Sequence, residues 1–364
     1  MKTTLHQSFK FLPDPRIEHC KKHLFIEMII LSVLAALSGA ESYDSIELYG
    51  KINIRFLKKI LKLPNGIPSH DTINRVFSVI NSKEFERLFI EWTATLKSAK
   101  ILRDVIAIDG KTIRGSKDSY HKKSPVHLVH AWSVENNLCL GQIKTNDKSN
   151  EITAIPELLD IIEIKGSVVS IDAMGTQTSI ADKIIDSGAD YILAVKNNQQ
   201  TLREDIEHVC RKRRPVAESE EIEKSHGRIE SRYCKIFENN NSVDSDRRWN
   251  SLRTIIQIIS TRETGESKTT QTRYYISSLR ANEPFNRYIK DHWSVENKLH
   301  WVLDVVFLED MQRKRDKNSA QNFAIVRKIV LNLLKKDKGK ESLKSKRLKA
   351  GWNNDFLLEL ITNL

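Results

Sequence analysis

The chain has 364 residues, 29% of them charged and 40% hydrophobic, with only 13 Gly and 8 Pro. This excludes a disordered or fibrous protein and a single small module, and predicts two or three domains at about 150 residues each. The formal net charge of +12 favours a polyanionic partner, and its location is informative: fourteen Lys or Arg against three acids (Asp316, Asp337, Glu341) lie between residues 311 and 350. That segment is read either as a surface giving salt-sensitive affinity for a phosphate backbone or as a solvated helix face with a flexible tail.

Helical spacing runs from Ile17 to about Lys97, through Phe25, Met28, Ile29, Leu31, Val33 and Leu34 and then Ile54, Leu57, Ile60 and Leu61. Its most apolar stretch, Met28 to Ala36, is too short to cross a bilayer. Asp14, Glu18 and Glu27 precede it and argue against a signal peptide, so a buried helix is expected. Leu63-Pro64-Asn65-Gly66-Ile67-Pro68 predicts a turn, and Asn81 with Glu84 a capping box for a helix through Phe89 and Trp92. Residues 1–98 thus form a helical N-terminal domain, a helix-turn-helix for DNA or a plain bundle. Cys20, Cys139, Cys210 and Cys234 show no zinc or disulfide spacing, which fits a reducing cytoplasm.

At Asp104 the pattern changes to strands. Val105 to Ile108 ends in Asp109-Gly110-Lys111, and His127 to Ser133 and Leu138 to Ile143 continue as an antiparallel meander. A helix from about Ile152 to Ile162, a buried strand Val168 to Ile171 ending in Asp172, a helix Ser179 to Ser187 and a strand Tyr191 to Val195 follow. Residues 99–204 therefore predict an α/β core, a mixed sheet covered by helices. Short extended runs at Arg228 to Phe237, Leu252 to Ser260 and Thr272 to Ser277 predict a β-rich insertion over 205–283. A helix from near Pro284 past Asp304 and another around Asn322 to Leu334 occupy 284–364, which completes the core and ends in the basic region.

Asp109 and Asp172 each close a short apolar strand, where a sheet opens a crevice to ligands, although an acid there is often a turn residue. In a regular helix Trp293, Glu296, His300 and Asp304 share one face, which joins a carboxylate and an imidazole with large aromatics. Three such acids suit phosphoryl transfer by two Mg²⁺ (or Mn²⁺) ions about 3.5–4 Å apart, because these hard cations take a few carboxylates and leave positions for phosphate oxygens.

Several segments in order resemble the DDE transposases of bacterial insertion sequences, in the branch that includes the H-repeat-associated proteins. They are Gly66 to Thr72, Ile108-Asp109-Gly110-Lys111, Lys148-Ser149-Asn150-Glu151-Ile152 and Asp172-Ala173-Met174-Gly175-Thr176-Gln177. Asp190-Tyr191 through Lys196, Asn198 and Gln199, His226 to Glu230, His292 to Asn297, Leu299-His300-Trp301, Glu309-Asp310 and Lys349 to Trp352 complete the series. The resemblance implies an RNase H-like catalytic core with an insertion before the third acid, and metal-dependent cleavage of element ends followed by strand transfer. It places the acidic triad, which is also the metal-ligand set, on Asp109, Asp172 and Glu296. It further implies double-stranded DNA as partner, a homodimer on DNA, no membrane, and a bacterial cytoplasmic, nucleoid-associated location. The alternative is a catalytically decayed or domesticated DNA-binding descendant. The sequence departs from the pattern at Lys290, where the family carries Arg, and at Ile289, His292 and Leu303, where the wider superfamily carries Tyr, Arg and Lys.

Supporting DNA contacts are expected from Lys111 beside the first acid, or it is a solvated strand-end lysine; from Lys196, Asn198 and Gln199 after the strand next to Asp172, or they form a polar loop; and from Arg228 and Arg232, which alternate with Glu230 on one strand face, or they pair across the sheet. Lys290 and His300 belong to the same set, with His300 placed to orient water or a scissile phosphate. Trp293 and Trp301 are expected to be packing residues.

Overall fold

The computed structural model describes residues 4–98, 101, 103–145, 151–225, 227–244, 246, 248–265 and 267–362. The motif residues Lys148, Ser149, Asn150 and His226 lie outside them. The chain begins with six helices: α1 (Thr4–Phe9), α2 (Phe25–Leu37), α3 (Tyr43–Ile52), α4 (Ile54–Leu57), α5 (His70–Val79) and α6 (Ser82–Leu96). The apolar run expected to be buried is α2, of which every residue but Ile26 is inside. Asn81 accepts from the Lys83 and Glu84 amides and so starts α6, satisfying two of the free N–H groups of its first turn.

The meander follows as β1 (Val105–Ile113), β2 (Val126–Ser133) and β3 (Leu138–Lys144). Next come α7 (Glu151–Ile161), β4 (Val168–Ile171), α8 (Thr178–Asp186) and β5 (Asp190–Val195). Strand β1 pairs antiparallel with β2 and parallel with β4, and β4 pairs parallel with β5. Parallel neighbours need crossover connections, which α7 and α8 provide. This is an RNase H-like arrangement of five strands.

The insertion consists of α9 (Gln200–Lys212), β6 (Ala217–Ser225), β7 (Arg228–Glu238), β8 (Thr254–Thr264) and β9 (Ser267–Ser277). It continues the core sheet, since β9 pairs with β5 and the full order is β3-β2-β1-β4-β5-β9-β8-β7-β6. Two elements differ from the sequence expectation. Residues 200–212, of which 205–212 fall in the expected β-rich insertion, form a helix with Leu202, Ile206 and Val209 buried. Residues 217–225 form an edge strand whose charged composition carries no apolar alternation.

The chain then forms α10 (Phe285–His292), α11 (Trp301–Val305), α12 (Ser319–Lys336), α13 (Leu343–Trp352) and α14 (Asn354–Thr362). Helix α12 packs against α2, α5, α6 and β3, so the C-terminal part completes the N-terminal bundle as well as the core. Of its fourteen cations between residues 311 and 350, Arg313, Arg315, Lys317, Lys338, Lys340, Lys344 and Lys349 are exposed. Lys314, Arg327, Lys328, Lys346 and Arg347 are buried, and the expectation that residues 311–350 serve DNA backbone affinity is corrected for these five cations. Arg327 and Arg347 meet Glu41 at 3.2 and 2.5 Å, Lys328 meets Glu309 at 3.8 Å, Lys346 meets Asp337 at 2.7 Å, and Lys314 donates to the Glu41 carbonyl at 2.6 Å.

Candidate active site

Side chains alternate across a strand, and residues aligned in parallel neighbours point the same way. Ala107 pairs with Ser170 and Ile108 with Ile171, so Asp109 and Asp172 occupy corresponding positions just past the last paired residues of β1 and β4. Asp109 shares its face with Val105, which packs with Val168, Ile192, Phe285, Tyr288 and Ile289 in one cluster. Helix α10 therefore covers the face on which Asp109 projects, and the segment after it can deliver a third acid there.

That segment is not the regular helix expected. The chain turns at Trp293, and Glu296–His300 form one π-helical turn before α11. A π-turn adds a residue to the helix and frequently marks a functional site. Here Glu296 and His300 still meet, with Oε2 3.1 Å from Nδ1, and the same nitrogen lies 3.6 Å from Asp109 Oδ2. The His300 Nε2 atom lies 3.1 Å from His130 Nδ1, and His130 sits opposite Asp109 in the β1–β2 ladder. With Nδ1 of His300 facing two carboxylates, the network places its proton there, and His130 Nδ1–H donates to Nε2. Burial holds His130 well below its usual pKa, aided by the charges of Lys328 and His300, and its remaining Nε2 is buried without a partner.

Burial pushes the Asp109 carboxyl up to about 6, against the pull of His300, and the charges of Asp172 and Glu151 add to the rise. Asp172 is also raised, first by burial and then by Glu151, although its Oδ1 accepts from the Met174 and Gly175 amides at 3.0 and 3.4 Å. Glu296 is lowered, chiefly by its hydrogen bond to His300. Ligand atoms of Asp109, Glu296 and His300 all lie within 4.8 Å of one another, which fits a divalent cation held by the two hard carboxylates with the imidazole donating beside it. Asp172 stands on the strand beside them.

The expected DNA contacts fare differently. Lys196 is exposed and, with Asp172, Arg203, Arg273 and Trp293, lines a cavity of about 600 Å³. Asn198 and Gln199 donate to the Ala173 and Thr176 carbonyls at 2.6 and 2.9 Å, and so fix the loop after Asp172. Lys111 is 7% exposed and meets Asp304 at 2.7 Å, Asp310 at 3.2 Å and Glu309 at 3.6 Å. Although burial acts to lower it, those carboxylates raise its pKa, and the ammonium ties β1 to α11 instead of standing open to phosphate. Arg228 meets Glu230 at 3.1 Å, Arg232 meets Glu221 at 3.1 Å, and Lys290 contacts Glu223. Trp293 and Trp301, expected to be packing residues, are 44% and 56% exposed, and Arg273 stacks 4.8 Å over Trp293. Arg203, Arg273 and Glu151 were not anticipated from sequence. For Glu151 the available signal was Gly110, directly after the first acid.

The fold and this cluster of acids at a sheet end define an RNase H-like polynucleotide-processing class. The chain belongs to the DDE transposase family: residues 100–333 match the description "Transposase DDE domain" and residues 6–93 match "DDE_Tnp_1-associated". The H repeat-associated protein YhhI of Escherichia coli K12 is 40% identical over 98% of this chain and 97% of its own length. YncI of Escherichia coli O157:H7 is 41% identical over 97% and 93%, and both bear transposase names. Among solved structures, the piggyBac transposase synaptic complex with hairpin DNA matches 100% of this chain and 76% of its own at 11% identity and a TM-score of 0.45, too loose a likeness to argue from. Among the described residues no helix is long and apolar enough to cross a membrane.

Proposed function

We propose that this transposase cleaves double-stranded DNA at the ends of an insertion element and joins the freed ends to target DNA, using two Mg²⁺ or Mn²⁺ ions held by Asp109, Asp172 and Glu296. The observation that carries this reading is that the π-turn sets His300 Nδ1 3.1 Å from Glu296 and 3.6 Å from Asp109, with ligand atoms of all three within 4.8 Å of one another, beside the aligned Asp172. Bound divalent cations supply activation of water or a 3′-hydroxyl and stabilisation of the leaving oxygen. The chain's own groups supply the rest. Asp109 is ionised at neutral pH and central to the cluster; His300, oriented by His130, donates a hydrogen bond into it. Lys196 stands at the mouth, where a point charge can meet a phosphate. Lys111 holds β1 against α11 and so fixes the spacing between the first and third acids. A homodimer on paired DNA ends accords with the family.

The test is cleavage of the cognate element ends by purified protein with Mg²⁺ or Mn²⁺. Asp109→Asn, Asp172→Asn and Glu296→Gln are each expected to lose cleavage to background while remaining folded by circular dichroism. Parental rates in all three would overturn the site.

A further inference from the structure

Glu151, the first residue of α7, approaches β1 from the side opposite α10. Its Oε1 lies 2.8 Å from His127 Nε2, and His127 Nδ1 lies 2.8 Å from the Thr112 hydroxyl, so strand side chains fix the carboxylate in place. A Cβ built on Gly110 would fall 2.0 Å from that Oε1 and 2.6 Å from His127 Nε2. Glycine directly after Asp109 is therefore what lets a carboxylate from α7 lie against the strand bearing the first acid. The charge of Glu151 acts on both aspartates, and on Asp172 it is the largest charge effect. Among the described residues no Lys or Arg forms an ion pair with Asp109, Asp172 or Glu151; His300 and His127 pair with them, and the charge of Lys196 reaches Asp172 from across the cavity. Carboxylates brought to the two faces of one strand end, with Asp109 and Asp172 half-buried, repel one another unless a cation joins them.

Resting on the proposed cation centre, we infer that Glu151 is a fourth carboxylate of that centre, serving one divalent ion together with Asp172 and Asp109, while Asp109 and Glu296, with His300 donating beside them, serve the other. The two sets reach Asp109 from opposite sides: Glu296 and His300 from the α10–α11 side, Glu151 from the α7 side. His127 is a positioning residue, because it acts by holding Glu151.

The experiment titrates the full-length protein with Mn²⁺ alone and reads bound ion by electron paramagnetic resonance. Wild type is expected to bind two ions per chain. Glu151→Gln is expected to weaken one of them by about tenfold or more and leave the other unchanged, and Glu296→Gln to weaken the complementary one. Glu151→Asp, which keeps the charge, is expected to recover part of the loss. His127→Asn leaves the carboxylate in the chain and is expected to weaken the same ion by a smaller factor, so a folding defect in Glu151→Gln does not decide the matter. Wild-type affinity for both ions in folded Glu151→Gln and in His127→Asn would overturn the role of Glu151 and leave the three-acid centre standing. No Mn²⁺ binding by wild type, or undiminished binding by Asp109→Asn, would overturn the centre itself and this inference with it.

Discussion

At the sheet end, among the described residues, Glu151 and the pair Asp109 and Glu296 form ion pairs with imidazoles alone, His127 and His300 respectively, and Asp172 accepts from backbone amides and feels the more distant charge of Lys196. In the seam between the N-terminal bundle and α12, by contrast, Glu41 and Glu309 face Arg327, Lys328, Arg347 and Lys111. Burial alone would raise the Glu309 carboxyl, yet Lys328, Arg327 and Lys111 hold it below its usual value, whereas burial wins at Asp109 and Asp172. The difference separates two uses of a buried acid. An acid enclosed by several of the chain's own cations fixes structure; acids without a neighbouring Lys or Arg ion pair are set for a ligand that brings its own charge.

The largest effect expected from this contrast is on stability. Glu309 is 0% exposed, and Glu309→Gln leaves Arg327 and Lys328 without their compensating charge, which should cost about 3–5 kcal/mol in urea unfolding. Glu296→Gln should cost almost nothing in metal-free protein. A loss below about 1 kcal/mol in Glu309→Gln would break the comparison, since the seam would then not depend on its charges.

Asp109→Asn should move stability the other way. The folded pKa of about 6 lies above the ordinary 3.8, so the folded state binds the extra proton between these values. Stability from this group is present at low pH and is lost as pH rises through about 6. In metal-free protein at pH 8 the substitution should therefore stabilise by about 1–2 kcal/mol, and at pH 4 by much less. Added Mg²⁺ should stabilise wild type and not the variant, because only the former offers the full ligand set. An advantage for Asp109→Asn that is independent of pH would show that the acid is not charge-strained.

The acids were legible because Ile108-Asp109 and Ile171-Asp172 end apolar runs on strands whose pairing the order of elements largely determines. The third acid was legible through the spacing of Glu296 and His300, but the π-turn was not, since only packing on the sheet selects it over a regular helix. Arg327 and Lys328 read as surface cations because their partners, Glu41 and Glu309, are set by tertiary contact. Strand β6 was missed because an edge strand need bury nothing, and α9 because its three buried residues, Leu202, Ile206 and Val209, are a thin stripe among charges. Arg228, Glu230 and Arg232 alternate on one strand face, and of the two readings that alternation allows, phosphate contact or pairing across the sheet, the ion pair of Arg232 with Glu221 matches the second, while Arg228 pairs with Glu230 along its own strand.

That pairing sharpens the contrast at its small end, in DNA affinity. Each cation that neutralises a phosphate displaces bound counterions, and log Kobs then falls against log salt with a slope of about −0.9 per contact. Lys196 is exposed at the cavity beside Asp172 and forms no ion pair among the described residues, so Lys196→Ala should flatten the slope by about 1. Arg232 already meets Glu221 and Glu223 at 3.1 and 3.5 Å, and Arg228 meets Glu230, so neither replacement by Ala should change the slope measurably. Fluorescence anisotropy of metal-free protein on duplex DNA across a salt series measures all three. A change in Arg232→Ala as large as that in Lys196→Ala would mean that β7 exchanges its glutamate partners for phosphate, and chain-supplied pairing would no longer distinguish structural charges from functional ones.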